Sequence, residues 1–448
     1  MIPKFYIEDQ ARSFMSAWKQ YRAVPIVHRI AVAFVLGALV GLVVGQPATS
    51  LQPVGDLFVR LLEMIIVPII IFTLLMATRE LSPKNLGKVG GQVVVLYIAT
   101  TAVAIAMGLG VSNLIDPGTG MTITQTDVQT EQTPSLVDQI FSIVPENPFA
   151  AIAEGNILAV IFFTLIFGLG MTIVRAEAEP DSAVRNGIET IFDAVDAGAE
   201  VMFKIVWGIM EFGVIGVFAL MASLFGEVGV KAIRAYFTLS LTLAVAIALQ
   251  ITLVYLLLLI RGAVGASPVA FLRGIKEALI TALSIRSSTA TLPITMSDAD
   301  ENLRIEERVY GFSLPLGATI NMDGTSMYLG IVAVFAANMA GVSLTLAEQF
   351  AILLTALLAS IGTAGVPSAS LVMMTAVLTQ VGLPLEVIGM IAGIDPLLDR
   401  LRTMNNIAGD LAVTTVVAKW NDAIDLTGGV WTDTPVGLAE ESVSTTDD

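Results

Sequence analysis

"ALITALSIRSSTATLPITM", residues 278–296, is apolar at both ends and polar in the middle. Its centre, from Arg286 to Pro293, sets Ser287, Ser288, Thr289 and Thr291 between two arms of helical composition. Such a stretch is either a surface loop or a hairpin that turns back inside a membrane. Non-helical backbone at membrane depth survives only where it is buried in protein or lines a cavity. The apolar arms favour the hairpin. A second stretch, "LLASIGTAGVPSASLVMM" (357–374), repeats the design, with Gly362, Gly365 and Pro367 breaking a helix among Ser360, Thr363, Ser368 and Ser370.

Each interrupted segment is followed by a helix carrying the remaining polar residues: "LPLGATINMDGTSMYLG" (314–330) after the first, "GIDPLLDRLRTMNNIAGDLAVTTVVAKW" (393–420) after the second. Hairpin then polar helix, twice, is the pattern of inverted repeats meeting at a midplane site, and it points to a secondary transporter.

The remainder of the chain agrees. Of 448 residues, 55% are hydrophobic and 14% charged, with a mean hydropathy of +0.81. A soluble protein of this size cannot hide so much apolar surface, so lipid is the expected solvent. Candidate spans are 28–45, 53–78, 89–115, 139–176, 196–226, 233–261, 306–340 and 387–419. The expected fold is an all-α polytopic membrane protein of eight transmembrane helices plus two re-entrant helical hairpins, 268–300 and 345–381, in inverted repeats. Residues 1–27 read as a cytoplasmic amphipathic lead-in and 421–448 as an acidic disordered tail. Lys4, Arg12, Lys19, Arg22 and Arg29 precede the first span, and Arg79, Lys84 and Lys88 follow the second, whereas the loop 116–139 has no basic residue. By the positive-inside rule both termini are expected in the cytoplasm, and the expected location is the inner (cytoplasmic) cell membrane. A net charge of −16 argues against nucleic acid, and the absence of cysteine removes thiol chemistry.

On the last span, positions 395, 399, 402, 406 and 410 are polar. Steps of four, three, four and four residues place them within a stripe roughly 80° wide at ~3.6 residues per turn. Arg400 falls beside the stripe. Arg402 offers a planar fork for a carboxylate, and Asp399, one turn earlier, a partner for an ammonium. A ligand bearing both groups satisfies both, with Asn406 and the hairpin hydroxyls available to a second carboxylate. Asp395 and Asp410 lie further along the stripe, where they could serve cations. On the preceding polar helix Asn321 and Asp323 cannot share a regular helical face. Gly317 and Gly324 suggest local unwinding there, which frees backbone carbonyls for hard monovalent cations.

"NMDGT" (321–325), "SSTATLP" (287–293), "GTAGVP" (362–367) and "DRLRTMNNIAGD" (399–410) resemble the sodium-coupled glutamate/aspartate transporter family, the dicarboxylate/amino acid:cation symporters. "IVPENPFAAIAEGNILAVIFF" (143–163) is similar to that family too, so the resemblance runs from the first span to about Lys419. It implies a homotrimer importing an acidic amino acid with sodium ions by an elevator motion. Spans 28–88 and 139–226 would form the trimerisation scaffold, and 89–115 with 233–420 the transport domain. By motif, Arg402 would take the side-chain carboxylate and Asp399 the amino group, while Asn406, Thr325 and Ser288 would hold the main carboxylate. Thr403 and Arg286 join this substrate set, and Val366 and Ser370 would close the outer lid. The resemblance further implies one sodium on Asp410, Asn321, Asn406 and the Gly317 carbonyl. A second would use carbonyls at Thr319, Ser360, Ile361 and Thr363, and a third Asp323, Asn321, Tyr97, Thr100 and Thr101.

Two departures stand out. Members usually carry one extra arginine near Asp399, but here Arg286 and Arg400 are both present, which leaves open the one that pairs with Asp399. Leu329 stands where proton-coupled animal relatives have Glu, so proton countertransport through that position is not expected. The rival readings are a C4-dicarboxylate or neutral amino acid symporter of the same family, or an anion channel or substrate sensor. An enzyme finds no support, because the chain has no catalytic motif.

Overall fold

In the computed structural model the polar centre of 278–296 is a sharp turn between two short helices. The structure describes residues 21, 23–79, 87–120, 144–361 and 369–432. Among these the chain is helical throughout, with one isolated antiparallel bridge between Ile305 and Ile424 and no strand. Among the described residues six helices are long and apolar enough to cross a membrane: Gln46–Arg79, Lys88–Ile115, Ala159–Glu177, Ala183–Val228, Ala232–Val264 and Glu307–Ala340. The first candidate span forms a shorter apolar helix, and the last is long but too polar to qualify by composition. That polarity is tolerable because its polar face is buried in protein rather than set against lipid.

In chain order, α1 is Ile26–Val44, α2 Gln52–Met64, α3 Ile66–Arg79, α4 Lys88–Ile115, α5 Pro148–Glu154, α6 Ile157–Glu177 and α7 Ala183–Val228. Helix α8, Lys231–Leu249, continues as a π-helical stretch, Gln250–Val264. The first hairpin comprises α9, Pro268–Gly274, α10, Lys276–Ile285, and α11, Ser288–Ser297. A broken helix follows, α12 (Glu307–Ile320) and α13 (Asp323–Ala340). The second hairpin supplies α14, Leu346–Ile361, and α15, Ala369–Gln380, before α16, Glu386–Ala392, and α17, Asp395–Trp420.

The helices α1, α2, α3, α6 and α7 pack mainly on one another. Helix α1 lies along α7 closely enough that a Cβ at Gly41 would come within 2.5 Å of the Ala222 carbonyl. Small residues permit such approach, and association in lipid depends on it. At the same pair, Arg29 donates bidentately to Glu211 at 2.7 and 2.8 Å. At the far end of α3, Arg79 pairs with Glu189, Asp193 and Asp196 of α7, and its carbonyl accepts from Arg175 of α6. Gly41→Ala is therefore expected to destabilise the protein by about 1–3 kcal/mol through overpacking. Gly110→Ala, whose Cβ meets nothing within 4 Å, should be neutral or slightly stabilising. Tryptophan-monitored thermal unfolding of the purified protein checks both.

Helices α4, α8 with its π-helical continuation, α10, α11, α12 and α13 pack around α17, whose polar stripe is buried throughout. The unwinding expected between Gly317 and Gly324 occurs at Asn321 and Met322, where the backbone leaves helical angles and separates α12 from α13. The tail departs from expectation. Asn421 to Thr432, read from composition as the start of a disordered tail, is bound to the body. The Glu306 amide donates to the Ala423 carbonyl at 2.9 Å, Trp431 Nε1 donates to the Leu303 carbonyl at 2.8 Å, and Ala423 is buried. Composition misled here because "AIDLTGGVW" keeps enough apolar residues to cover the base of the first hairpin. Residues 433–448 lie outside the described part.

Candidate substrate and cation site

The site has two neighbouring halves on α17. In the first half, Arg402 is fully buried. Its Nη2 donates to Asp399 Oδ1 at 2.8 Å, its Nη1 lies 2.8 Å from Asp395 Oδ1, and its guanidinium sits 4.1 Å over the Tyr328 ring centroid. Asp395 thus pairs with Arg402. The two are two turns apart on one stripe, within reach of an arginine's fork. Arg286 Nη1 approaches Asp399 Oδ2 at 3.8 Å. Arg400 turns away and donates to the carbonyls of Leu283 and Ser284. Of the two extra arginines, Arg286 is the one beside Asp399.

Thr403 donates its hydroxyl to the Asp399 carbonyl at 2.8 Å, one turn back. Asn406 joins α17 to the broken helix: its Oδ1 accepts the Gly324 amide at 2.7 Å, and its Nδ2 donates to Thr325 Oγ1 at 3.4 Å. This contact is possible because Gly324 has no side chain; a Cβ there would lie 2.5 Å from the Arg402 carbonyl. Ser288 and Ser370 are buried at the near ends of α11 and α15. The Ser370 hydroxyl has no hydrogen-bond partner among the described residues.

The second half holds two fully buried carboxylates, Asp410 and Asp323. Asn321 Nδ2 donates to Asp410 Oδ1 at 2.8 Å, and Thr100 Oγ1 donates to Asn321 Oδ1 at 3.3 Å. Thr101 Oγ1 donates to Asp323 Oδ1 at 2.5 Å. The Gly317 Cα faces the same place, since a Cβ on it would lie 2.5 Å from Asp410 Oδ1 and 2.6 Å from the Tyr97 hydroxyl. Tyr97 itself donates to the Ser313 carbonyl at 2.9 Å. The third span, the broken helix and the last helix thus bring Gly317, Asn321, Asp323, Tyr97, Thr100, Thr101 and Asp410 together. Oxygen-rich and without soft ligands, this set suits a hard alkali cation. Thr319, Ser360 and Ile361 stand at helix ends, with the hydroxyls of Thr319 and Ser360 donating to the carbonyls of Leu316 and Leu357. No hydrogen bond joins these three to the two carboxylates among the described residues. Thr363 and Val366 lie outside the described residues.

Three members of this network were missed in the sequence. Tyr255 donates its hydroxyl to Asp323 Oδ2 at 2.6 Å and accepts from Asn405 Nδ2 at 3.3 Å. Gln250 Nε2 donates to the Thr100 carbonyl at 3.3 Å. A glutamine inside an apolar run was a usable signal, because polar groups in a span tend to face a functional interior.

Buried carboxylates, a sequestered arginine and broken helices in an apolar helical body define a membrane-embedded carrier of charged solutes. The comparisons give the family. A family model of the sodium:dicarboxylate symporter family matches residues 26–420, and the chain belongs to that family, whose members are transporters and not enzymes. Among similar proteins, the proton/sodium-glutamate symport protein of Geobacillus stearothermophilus is 33% identical over 417 residues, 89% of this chain and 95% of that protein. The proton/glutamate-aspartate symporter of Escherichia coli (strain K12) is 32% identical over 422 residues, 89% and 93% of the two chains. A C4-dicarboxylate transport protein of Rhodospirillum rubrum is 31% identical over 408 residues, 89% and 88%.

Proposed function

We propose that the chain is a secondary active symporter that imports an acidic amino acid, aspartate or glutamate, together with sodium ions. The observation that carries this reading is the division of buried charge along α17. Around the substrate half Arg286 and Arg402 offset Asp395 and Asp399, and the half-buried Arg400, behind them at the hairpin tip and turned from the pocket, brings the net charge to +1. Around the cation half stand Asp323 and Asp410, a net charge of −2. Charges withdrawn from water cost several kcal/mol each unless compensated. A zwitterionic acid of net −1 balances the first half, and monovalent cations balance the second.

The two halves share Asn406 and the 321–325 break, so occupancy of one changes the geometry of the other. Coupling of this kind is reciprocal: ions raise substrate affinity as much as substrate raises theirs. Each net positive charge carried inward gains ~2.3 kcal/mol per 100 mV of membrane potential. In this reading the fold has eight spans and two re-entrant hairpins, with both termini in the cytoplasm. The body of α1, α2, α3, α6 and α7 is a scaffold in a homotrimer. The α17-centred body is an elevator that carries substrate past it, and the protein sits in the inner membrane.

Radiolabelled aspartate uptake into proteoliposomes tests the reading: it should require external sodium, and equal uptake with choline in place of sodium would remove the mechanism. A second reading, C4-dicarboxylate transport, is favoured by the engagement of Asp399 with both Arg402 and Arg286, which leaves an incoming ammonium to compete for it. Competition of aspartate uptake by succinate, serine and alanine separates the readings. An acidic amino acid carrier is inhibited by glutamate far more than by any of the three.

A further inference from the structure

One arginine of the substrate half does not face the pocket at all. Helix α10 ends at Ile285, Arg286 takes a φ of 61°, and Ser287 caps α11 by accepting the Ala290 amide at 3.1 Å. The left-handed region is unfavourable for a non-glycine residue, whose Cβ crowds the backbone, and persists where its surroundings enforce it. The last carbonyls of a helix lack intrahelical donors. Here two of them, on Leu283 and Ser284, accept from Arg400 Nη1 at 2.5 and 3.1 Å. A cation at a helix C-terminus is favoured both as a donor and by the helix dipole. Arg286 Nη1, by contrast, is buried 3.8 Å from Asp399 with no hydrogen-bond partner among the described residues. What directs it there is the backbone turn together with the ion pair to Asp399.

We infer that Arg400 is a positioning residue for the acidic-substrate pocket: it caps α10, pins the tip of the first hairpin to the last helix, and so aims Arg286 at Asp399. The inference rests on the proposed transport of an acidic amino acid. It gives the two extra arginines separate tasks beyond the charge they bring. Arg286 presents the cation to the pocket, and Arg400, one residue past Asp399 and beside the buried stripe, fixes the turn that presents it.

The chain has no cysteine, so Ile285→Cys, at an exposed position on the tip, places one thiol where opening would be felt. In the full-length protein carrying that reporter, Arg400→Gln should raise the rate of thiol labelling about tenfold and weaken aspartate binding at saturating sodium about tenfold, the loss expected of a charge-assisted cap. Arg400→Lys, which keeps a cation at the helix end, should hold both within about threefold. Half-saturation by sodium measured without aspartate should not move. Arg400→Met carries the same measurement should the glutamine variant fail to fold. Weakened aspartate binding with an unchanged labelling rate would overturn the inference, since Arg400 would then touch substrate directly. Unchanged labelling and binding would also overturn it. Failure of the reporter protein itself to bind aspartate would instead strike the transport reading, and the labelling arm would still judge the tip.

Discussion

Arg402→Gln should weaken aspartate binding by at least about 100-fold and abolish uptake. The guanidinium is fully buried between Asp395 and Asp399 and lies against the Tyr328 ring. Removing one member of a buried ion pair costs about 3–5 kcal/mol, because the carboxylates left behind are uncompensated. The same change lowers the net charge of the substrate half from +1 to zero, which removes the electrostatic reason for an anion to enter. Fold and site separate cleanly by a companion variant. Asp395→Asn with Arg402→Gln removes one orphaned charge together with its partner and should recover thermal stability, yet it should not recover aspartate binding. Isothermal titration with aspartate in saturating sodium, run beside thermal unfolding, reads both. Undiminished aspartate affinity in Arg402→Gln would mean that this side chain is only a structural partner of Asp395.

That Arg402 lies on a buried polar stripe was legible from spacing alone. The stripe at 395, 399, 402, 406 and 410 needs only helical periodicity, and all five side chains are buried. The break at Asn321 and Met322 was legible as well, since two polar residues flanked by glycines in an apolar run cannot all face one way on a regular helix. What periodicity cannot give is which side chain from another element arrives. Arg286 and Arg400 are equivalent in sequence terms, and the backbone turn at Arg286 decides between them. Gln250 and Tyr255 were hidden for a different reason. Five residues apart on an α-helix they point about 140° away from each other at ~3.6 residues per turn. The chain is π-helical from Gln250 to Val264, and an i→i+5 pattern brings residues five apart onto one face. Only then do both reach the Thr100–Asp323 region. The tail was misread because a net acidic composition describes its average, whereas Ile424 and Trp431 decide its attachment.

Gly317→Ala should raise the sodium concentration for half-maximal aspartate uptake more than about tenfold while leaving the substrate half intact. The added methyl would stand 2.5 Å from Asp410 Oδ1 and 2.6 Å from the Tyr97 hydroxyl. Neither atom can yield easily, because Asn321 holds the carboxylate at 2.8 Å and the Ser313 carbonyl holds the phenol at 2.9 Å. Overpacking of a buried site typically costs 1–3 kcal/mol, and here the displacement falls on the oxygens proposed to meet a cation. Ion affinity should therefore suffer before the arginine cluster does. Gly324→Ala provides the contrast. Its methyl would meet the Arg402 carbonyl at 2.5 Å and the Arg402 Cα at 2.9 Å, backbone atoms that only a separation of α13 from α17 can relieve. That variant should lose thermal stability and aspartate binding together, whatever the sodium concentration. Sodium titrations of aspartate uptake in proteoliposomes, with unfolding midpoints on the same preparations, distinguish the two patterns. If Gly317→Ala kept the parent's sodium dependence, Asp410 and its neighbours would be structural, and the cation would have to bind elsewhere.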